Sequence, residues 1–79
     1  MFKKYLFTIQ IRDGENKYFQ HSICEAPSLE KAKELKDKVT QSWLSTNDYR
    51  IAEVIDVAQI TKGEAEVFQE LEIANFLKI

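Results

Sequence analysis

The chain has 79 residues, enough for one domain, and a chain this short buries roughly 60 to 65 % of the surface that its unfolded state exposes. Hydrophobic residues make up 44 % and charged residues 30 %, a balance typical of a folded domain and not of a disordered chain. The formal net charge is -2, and no concentrated basic stripe is present, which argues against strong, sequence-independent binding of nucleic acid. We expect one small domain over residues 1–79.

The charge is divided unevenly along the chain. Residues 1–46 carry eight Lys/Arg and six Asp/Glu, whereas residues 47–79 carry three and seven. The two parts therefore have net charges of +2 and -4. Such an asymmetry favours self-association or the attraction of a basic partner.

The first strand, residues 3–12, is indicated by large apolar side chains at alternate positions. They are Tyr5, Phe7, Ile9 and Ile11. Residues 13–16 accept positive φ and predict a tight turn, so a second strand over residues 17–26 completes a hairpin.

The register of this hairpin decides which side chains share a face. One register places Phe19, His21 and Ile23 beside the apolar residues of the first strand; the other places Tyr18, Gln20, Ser22 and Cys24 there. We favour the first register because it collects the larger apolar groups on one side.

Pro27 and Ser28 end the second strand, since proline lacks a ladder donor and serine caps a following helix. The helix is expected to run from there to about Leu44, because apolar residues recur at spacings of three and four. This stripe consists of Leu29, Ala32, Leu35, Val39 and Trp43.

A third strand is predicted over residues 49–60. The adjacent Val54 and Ile55 break its alternation, which indicates either a bulge or partial burial of both faces. Thr61 and Glu64 then match a capping box at the start of a second helix that runs to about Leu77. Its expected inner stripe is Val67, Phe68, Leu71, Ala74 and Leu77, which leaves Ile73, Phe76 and Ile79 outside it.

The element order is ββαβα, and a right-handed crossover brings the third strand to the far edge of the first. The expected fold class is α+β: a three-stranded antiparallel sheet of order 2-1-3, with the helices packed on one face. The second helix lies either beside the first or against a neighbouring subunit.

Catalytic and metal chemistry find little support in the sequence. His21 and Cys24 are three residues apart on a strand, so their side chains point to opposite faces and cannot form a local dyad or chelate. The chain has one cysteine and one histidine, which excludes an internal disulfide and a structural zinc site within one chain and leaves a metal shared across a dimer as the one alternative. Only Gly14 and Gly63 are available for a phosphate loop. We expect no enzyme and no cofactor.

The single cysteine favours a reducing compartment, and no apolar run approaches the roughly 18 residues that a membrane span requires. We therefore expect a cytoplasmic protein without membrane association.

Protein binding is the leading functional hypothesis, through the acidic second helix and its apolar end, with homodimer formation as one form of it. The candidate partner-binding residues are Trp43, Tyr49, Glu66, Glu70, Ile73, Phe76 and Ile79. The alternative is single-stranded nucleic-acid binding on the open sheet face, where Tyr18 would stack a base. Its basic residues are Lys4, Arg12 and Lys17.

Three segments of the chain resemble short uncharacterised bacterial, phage and plasmid proteins of the same ββαβα order. They are residues 18–26 (YFQHSICEA), residues 28–32 (SLEKA) and the stretch from Val57 to Thr61 that leads into residues 64–68 (EAEVF). The resemblance implies the fold and a mobile-element origin, and it carries no functional residue. Small acidic phage proteins, among them anti-CRISPR inhibitors, act by occupying a surface of a larger host machine, and this mode of action is what the resemblance suggests here.

Overall fold

The computed structural model describes residues 1–46 and 51–79. The described residues form four strands and three helices. These are β1 (Lys3–Asp13), β2 (Asn16–Ala26), α1 (Leu29–Lys33), α2 (Lys36–Thr46), β3 (Ile51–Ile60), α3 (Lys62–Glu70) and β4 (Asn75–Phe76). No helix in these ranges is both long enough and apolar enough to cross a membrane.

The sheet has the order β3-β1-β2-β4, so the central position predicted for the first strand is confirmed. β1 is antiparallel to both of its neighbours, whereas β2 and β4 are parallel. The prediction of a three-stranded, wholly antiparallel sheet is wrong, because the end of the chain adds a short fourth strand beside β2.

The hairpin adopts the register that we did not favour. Asp13 pairs with Asn16 across a two-residue loop, and Gly14 has a φ of 65°. Such a loop fixes the pairing by turn geometry, so Phe7 lies opposite Ser22 and Ile11 opposite Tyr18. The large apolar side chains of β2 are thereby turned away from those of β1, because side chains alternate between faces.

The two faces of the sheet are named here by the β1 residues that point to them. The first face carries Tyr5, Phe7, Ile9 and Ile11, and the second carries Leu6, Thr8, Gln10 and Arg12. Both faces support a core, so hydrophobicity alone does not distinguish the two registers.

The first face is covered by α1 and α2. Ser28 caps α1, since its Oγ accepts a hydrogen bond from the Lys31 backbone N–H at 3.2 Å. The predicted single helix is divided at Glu34 and Leu35, where the Leu35 N–H bonds to the Ala32 carbonyl at 2.9 Å, a tighter turn than an α-helix makes. The core of this face consists of Tyr5, Phe7, Ile9, Ile11, Cys24, Ala26, Ala32 and Val39.

The second face is covered in part by α3, so the prediction of both helices on one face is wrong. The capping box is confirmed: Thr61 Oγ1 accepts from the Glu64 N–H at 3.0 Å, and Glu64 Oε1 accepts from the Thr61 N–H at 2.9 Å. The core of this face is Ile23, Ala65 and Ala74, with Leu6, Ile60, Phe68 and Phe76 packed against it. Ile23 occupies this second core because of the hairpin register.

The bulge predicted in the third strand is confirmed. Thr8 pairs with Asp56 and Ile9 pairs with Val54, so Ile55 is the extra residue, and its side chain is exposed. The extra residue shifts the alternation, which accounts for the irregular apolar pattern of β3.

The second predicted helix ends earlier than expected, at Glu70. The Ile73 N–H bonds to the Phe68 carbonyl at 2.9 Å and the Glu72 N–H to the Gln69 carbonyl at 3.1 Å, which is a Schellman motif. Glu72 takes the left-handed conformation with a φ of 58°, a position that glycine usually fills. The chain then turns into β4, so residues 71–77 do not continue the helix.

Candidate functional site

A groove of about 410 Å³ lies at the outer edge of β2, next to β4. We call it the edge groove. Its walls come from β2, α2, the end of α3 and the turn into β4. They comprise Gln20, His21, Trp43, Gln69, Glu72, Ile73, Ala74, Asn75 and Phe76. It brings Trp43, Ile73 and Phe76, three of the predicted partner-binding residues, around one depression.

Trp43 ties the helix layer to the sheet edge. Its indole Nε1–H donates to Ser22 Oγ at 3.1 Å, and the Ser22 hydroxyl donates to Asn75 Oδ1 at 3.4 Å. Ser22 is fully buried, and the indole ring packs against the first core. Trp43 therefore stabilises the junction of α2, β2 and β4, and it also forms a wall of the groove.

His21 and Cys24 point to opposite faces, as the sequence predicts. His21 Nδ1 lies 3.2 Å from Thr8 Oγ1 on the second face, whereas Cys24 is buried in the first core. Burial raises the pKa of the Cys24 thiol from 9.0 to about 11. In residues 1–46 and 51–79 no three His, Cys, Asp or Glu side chains come together as metal ligands.

The raised pKa of Cys24 predicts a loss of stability in alkaline solution. The folded state keeps the thiol protonated where the unfolded state ionises, so this contribution is complete below pH 9 and disappears between pH 9 and about 11. Two pKa units correspond to about 2 to 3 kcal/mol of unfolding free energy. Urea unfolding of the wild type and of Cys24→Ala at several pH values measures the difference. The wild type should lose the extra stability, and identical pH profiles for the two proteins would contradict the prediction.

The end of α3 exposes apolar side chains that the sequence analysis assigned to its inner stripe. Val67 and Leu71 are 48 % and 64 % exposed, and Ile73 in the following turn is 44 % exposed. The helix instead buries Ala65 and packs Phe68 on the sheet. The spacing of three residues between Ala65 and Phe68 is the sequence pattern that indicates the buried side of this helix. The pattern is weak, because alanine contributes little to it.

The predicted acidic residues Glu66 and Glu70 are exposed on α3, one helical turn apart. Val67 and Leu71 form a parallel apolar row beside them, since residues i and i+4 are neighbours on a helix. With Glu72 and Ile73 from the turn, these side chains make one acidic and apolar surface, which we call the α3 ridge. Ion pairs found within the described ranges are Lys4–Glu25 and Lys31–Glu34, and neither involves the ridge.

Phe76 and Ile79 do not extend the α3 ridge. Phe76 is half-buried opposite Ile23, and the Lys4 Nζ lies 4.9 Å from its ring centroid. Ile79 is exposed and borders a depression of about 250 Å³ with Phe2. Tyr49, the remaining predicted partner residue, lies outside the described residues.

The residues predicted for nucleic-acid binding are only partly brought together. Arg12 and Lys17 lie opposite each other on the second face, but Tyr18 points to the first face and packs against its core. Lys4 is engaged with Glu25 at 3.4 Å. Phe19, which the favoured register places in the core, is 50 % exposed on the same face as Arg12 and Lys17. The two-residue loop of the hairpin is the sequence feature that predicts this position of Phe19, because the loop sets the register of the two strands.

Acidic groups lie on this open part of the second face as well. Glu53 pairs with Gln10 and Asp56 with Thr8, so both carboxylates point to the side that carries Arg12 and Lys17. The face is therefore of mixed charge.

Comparison with known proteins assigns no family to these surfaces. No protein-family model, curated protein or solved structure matches the chain. The resemblance to phage and plasmid proteins stays a prediction.

Proposed function

We propose that this protein is a non-enzymatic protein-binding module that uses the α3 ridge to cover a surface of a larger partner. The observation that carries the proposal is the exposure of Val67, Leu71 and Ile73 on α3 and the turn after it, next to Glu66, Glu70 and Glu72. Exposed apolar groups with a polar rim are typical of protein contacts. A mode of action by occlusion, as an inhibitor or adaptor of phage or mobile-element type, is part of this proposal.

The arrangement of the ridge favours a rigid docking element. α3 is fixed at its start by the Thr61–Glu64 capping box and at its end by the Schellman motif. Ala65 and Phe68 hold its inner side on the sheet. The backbone of such a helix loses little conformational freedom on binding, which lowers this part of the entropic cost of association.

The charge of the ridge supports a partner surface of basic character. Residues 61–73 contain four glutamates and one lysine. Glu66 and Glu70 repel each other at a spacing of four, a cost of roughly 0.2 to 0.5 kcal/mol that a cation placed between them removes. The expected partner surface is therefore apolar at its centre with lysine or arginine at its rim.

The test is partner capture from the native host with tagged protein, followed by affinity measurement on the captured protein. Leu71→Lys, or Glu66→Lys combined with Glu70→Lys, is expected to weaken binding by about 30-fold or more, equivalent to about 2 kcal/mol. Affinity should also fall as salt is raised.

Ile51→Lys is the matched control, because Ile51 is 68 % exposed and lies at the opposite edge of the sheet. This variant should retain wild-type affinity. Binding that is lost with Ile51→Lys and kept with Leu71→Lys would refute the assignment to the α3 ridge.

The exposed Phe19 next to Arg12 and Lys17 favours a second candidate function, binding of single-stranded nucleic acid by base stacking and phosphate contact. Titration with mixed-sequence oligonucleotides at low salt tests it. Phe19→Ala should then reduce affinity by roughly tenfold, whereas Tyr18→Phe should not, because Tyr18 points to the other face. No binding to the wild type removes this candidate.

A further inference from the structure

We infer that two copies of this chain pair antiparallel along the free edge of β3, so that their two sheets join into one. This surface is separate from the α3 ridge, and the inference does not depend on the proposed function. β3 is the outer strand on its side of the sheet and extends over ten residues, from Ile51 to Ile60. β1 pairs with its inner side, and no described residue pairs with its outer side. An unpaired edge of this length is a template for another strand.

The strand pairings determine which backbone groups of β3 face outward. The Leu77 N–H donates to the Ile23 carbonyl at 2.9 Å, so the backbone groups of Ile23 face away from β1. Leu6 lies opposite Ile23 in a non-hydrogen-bonded pair, so the backbone groups of Leu6, and of every second residue of β1 counted from it, face β3. The β3 residues opposite these point inward. Apart from Ile55 at the bulge, the outward residues are Ala52, Val54, Val57 and Gln59.

The bulge decides which strand can pair with this edge. The outward residues are two positions apart on each side of the bulge, but three positions apart across it, from Val54 to Val57. A regular strand, whose outward residues are two apart throughout, stays in register on one side of the bulge alone, and for this reason bulges protect sheet edges. A second β3 in antiparallel orientation has the same gap of three residues, so the two gaps lie opposite each other. The edge is therefore complementary to a copy of itself.

One register uses the whole length of both strands. In it, the first residue of β3 lies opposite the last residue of β3 in the other copy. Outward residues then meet outward residues, with Ala52 opposite Gln59 and Val54 opposite Val57. Hydrogen-bonded pairs form on both sides of the bulge, and the twofold axis makes each of them twice.

The side chains also match across this contact. Val54 and Val57 both lie on the first face, because they pair with β1 residues whose side chains point there. Ile51 and Ile60, which meet at the ends of the strands, both lie on the second face. Ile51 is the most exposed apolar side chain of β3 in the single chain, and the dimer gives it an apolar neighbour.

Charge distinguishes this register from the one that is shifted by two residues. The shifted register also aligns outward residues, but it places Glu53 of each copy directly opposite Asp56 of the other. Like charges directly opposite each other on neighbouring strands are destabilising. In the full-length register Glu53 lies opposite Ala58, and Asp56 of the other copy is at a diagonal position. The full-length register is therefore the one that we expect.

Among the strands that the structure describes, β2 offers no comparable edge. Its outer side is free over residues 17–21, between the hairpin loop and β4. Asn75 and Phe76 already occupy the positions beside Ser22 and Ile23. A second copy of β2 laid along this stretch would overlap with β4.

Sedimentation equilibrium on the wild type tests the inference. Two paired strands bury less area than the roughly 1,600 Å² of a standard interface, so we expect a weak dimer with a dissociation constant between about 1 μM and about 1 mM. Ile51→Lys, at an exposed position, should raise this constant at least about tenfold. Leu71→Lys, the ridge variant, should dimerise as the wild type does. A strict monomer over this range, or equal effects of the two variants, overturns the inference.

The same two variants separate this inference from the proposed function. Ile51→Lys should lose the dimer and keep its affinity for the captured partner, whereas Leu71→Lys should keep the dimer and lose that affinity. Each proposal can therefore fail without the other.

Cross-linking tests the register. Glu53→Cys mixed with Ala58→Cys should give a disulfide-linked dimer under mild oxidation, because residues in a non-hydrogen-bonded pair have Cα atoms about 4.5 Å apart, within disulfide range. Neither variant should cross-link alone, since equivalent positions lie five residues apart along the strands, roughly 17 Å. The native Cys24 is buried and does not compete.

Ile51→Cys mixed with Ala58→Cys is the matched control for the cross-link, because these positions lie opposite each other in the shifted register alone. Absence of the Glu53→Cys link to Ala58→Cys, or a stronger link in the control mixture, overturns the register.

Hydrogen exchange on the wild type gives a readout at each residue. The amides of Val54, Val57 and Gln59 should gain at least about tenfold protection as the protein concentration rises through the dissociation constant. Those of Glu53 and Ala58, which face β1, should not change. A dimer without this pattern of protection contradicts pairing through β3.

Discussion

Phe7→Ala is expected to lower the free energy of unfolding by about 3 to 5 kcal/mol. Phe7 is 0 % exposed and lies in the central strand, beneath α1 and α2. Truncation leaves a cavity that the paired neighbours on both sides cannot collapse to fill. A domain of this length has a total stability of about 4 to 12 kcal/mol, so the variant should be marginally folded at room temperature. Urea unfolding followed by circular dichroism measures the change.

Phe19→Ala is the matched control for this prediction. The register that we first favoured would put Phe19 beside Phe7 in one core, whereas the structure leaves it half-exposed on the second face. We expect a loss of less than about 1 kcal/mol in the monomer, because little packing is removed. Equal effects of the two substitutions would contradict the register and the architecture built on it.

Ile23→Ala is expected to cost about 3 kcal/mol, within the range for a buried isoleucine truncated to alanine. Ile23 is 0 % exposed and is the centre of the second core, where it contacts the layer of Ala65 and Ala74. Alanines occupy two of the three buried positions in this core. Their short side chains cannot move to fill the cavity that the substitution leaves. The same variant should release the end of the chain, because β4 packs on this residue.

Hydrogen exchange with urea unfolding measures both parts of the Ile23 prediction. Amides of α3 and of Leu77 should lose more protection than those of α2, which covers the other face. Ile51→Ala, at a position 68 % exposed, should cost less than about 1 kcal/mol. Loss of α2 protection before α3 protection would show that Ile23 does not support the second core.

The candidate site was predictable in parts, and the failures have one cause. Glu66, Glu70 and Ile73 were selected because the second helix had more apolar and acidic surface than one contact face requires, and all three are exposed. The sequence pattern predicts Val67 and Leu71 in the interior, because a stripe of large side chains gives a stronger apolar pattern than one that includes Ala65. The same preference for size placed Phe19 in the core and Tyr18 on the open face. Both predictions depend on the size of the apolar side chains. The register of the hairpin and the side of the helix that faces the sheet depend instead on backbone geometry.

The fourth strand had no usable signal. Asn75 and Phe76 are two residues in a segment whose apolar spacing also suits a helix. The Schellman motif that separates them from α3 has Glu72 at the position where a glycine would indicate the end of the helix. The division between α1 and α2 is similar, since Glu34 and Leu35 are good helix formers and nothing in the local sequence predicts the tighter turn found there.

The sequence by itself determined the central strand, the two capped helix starts and the bulge of β3, because each depends on a local pattern of alternation, hydrogen-bonding side chains or an extra residue. The tertiary structure alone decided which face each helix covers and where β2 leaves an edge free. A shift of one residue in strand pairing moves every side chain to the opposite face, and both faces here carry apolar residues, so the choice depends on how turn, sheet and helices fit together.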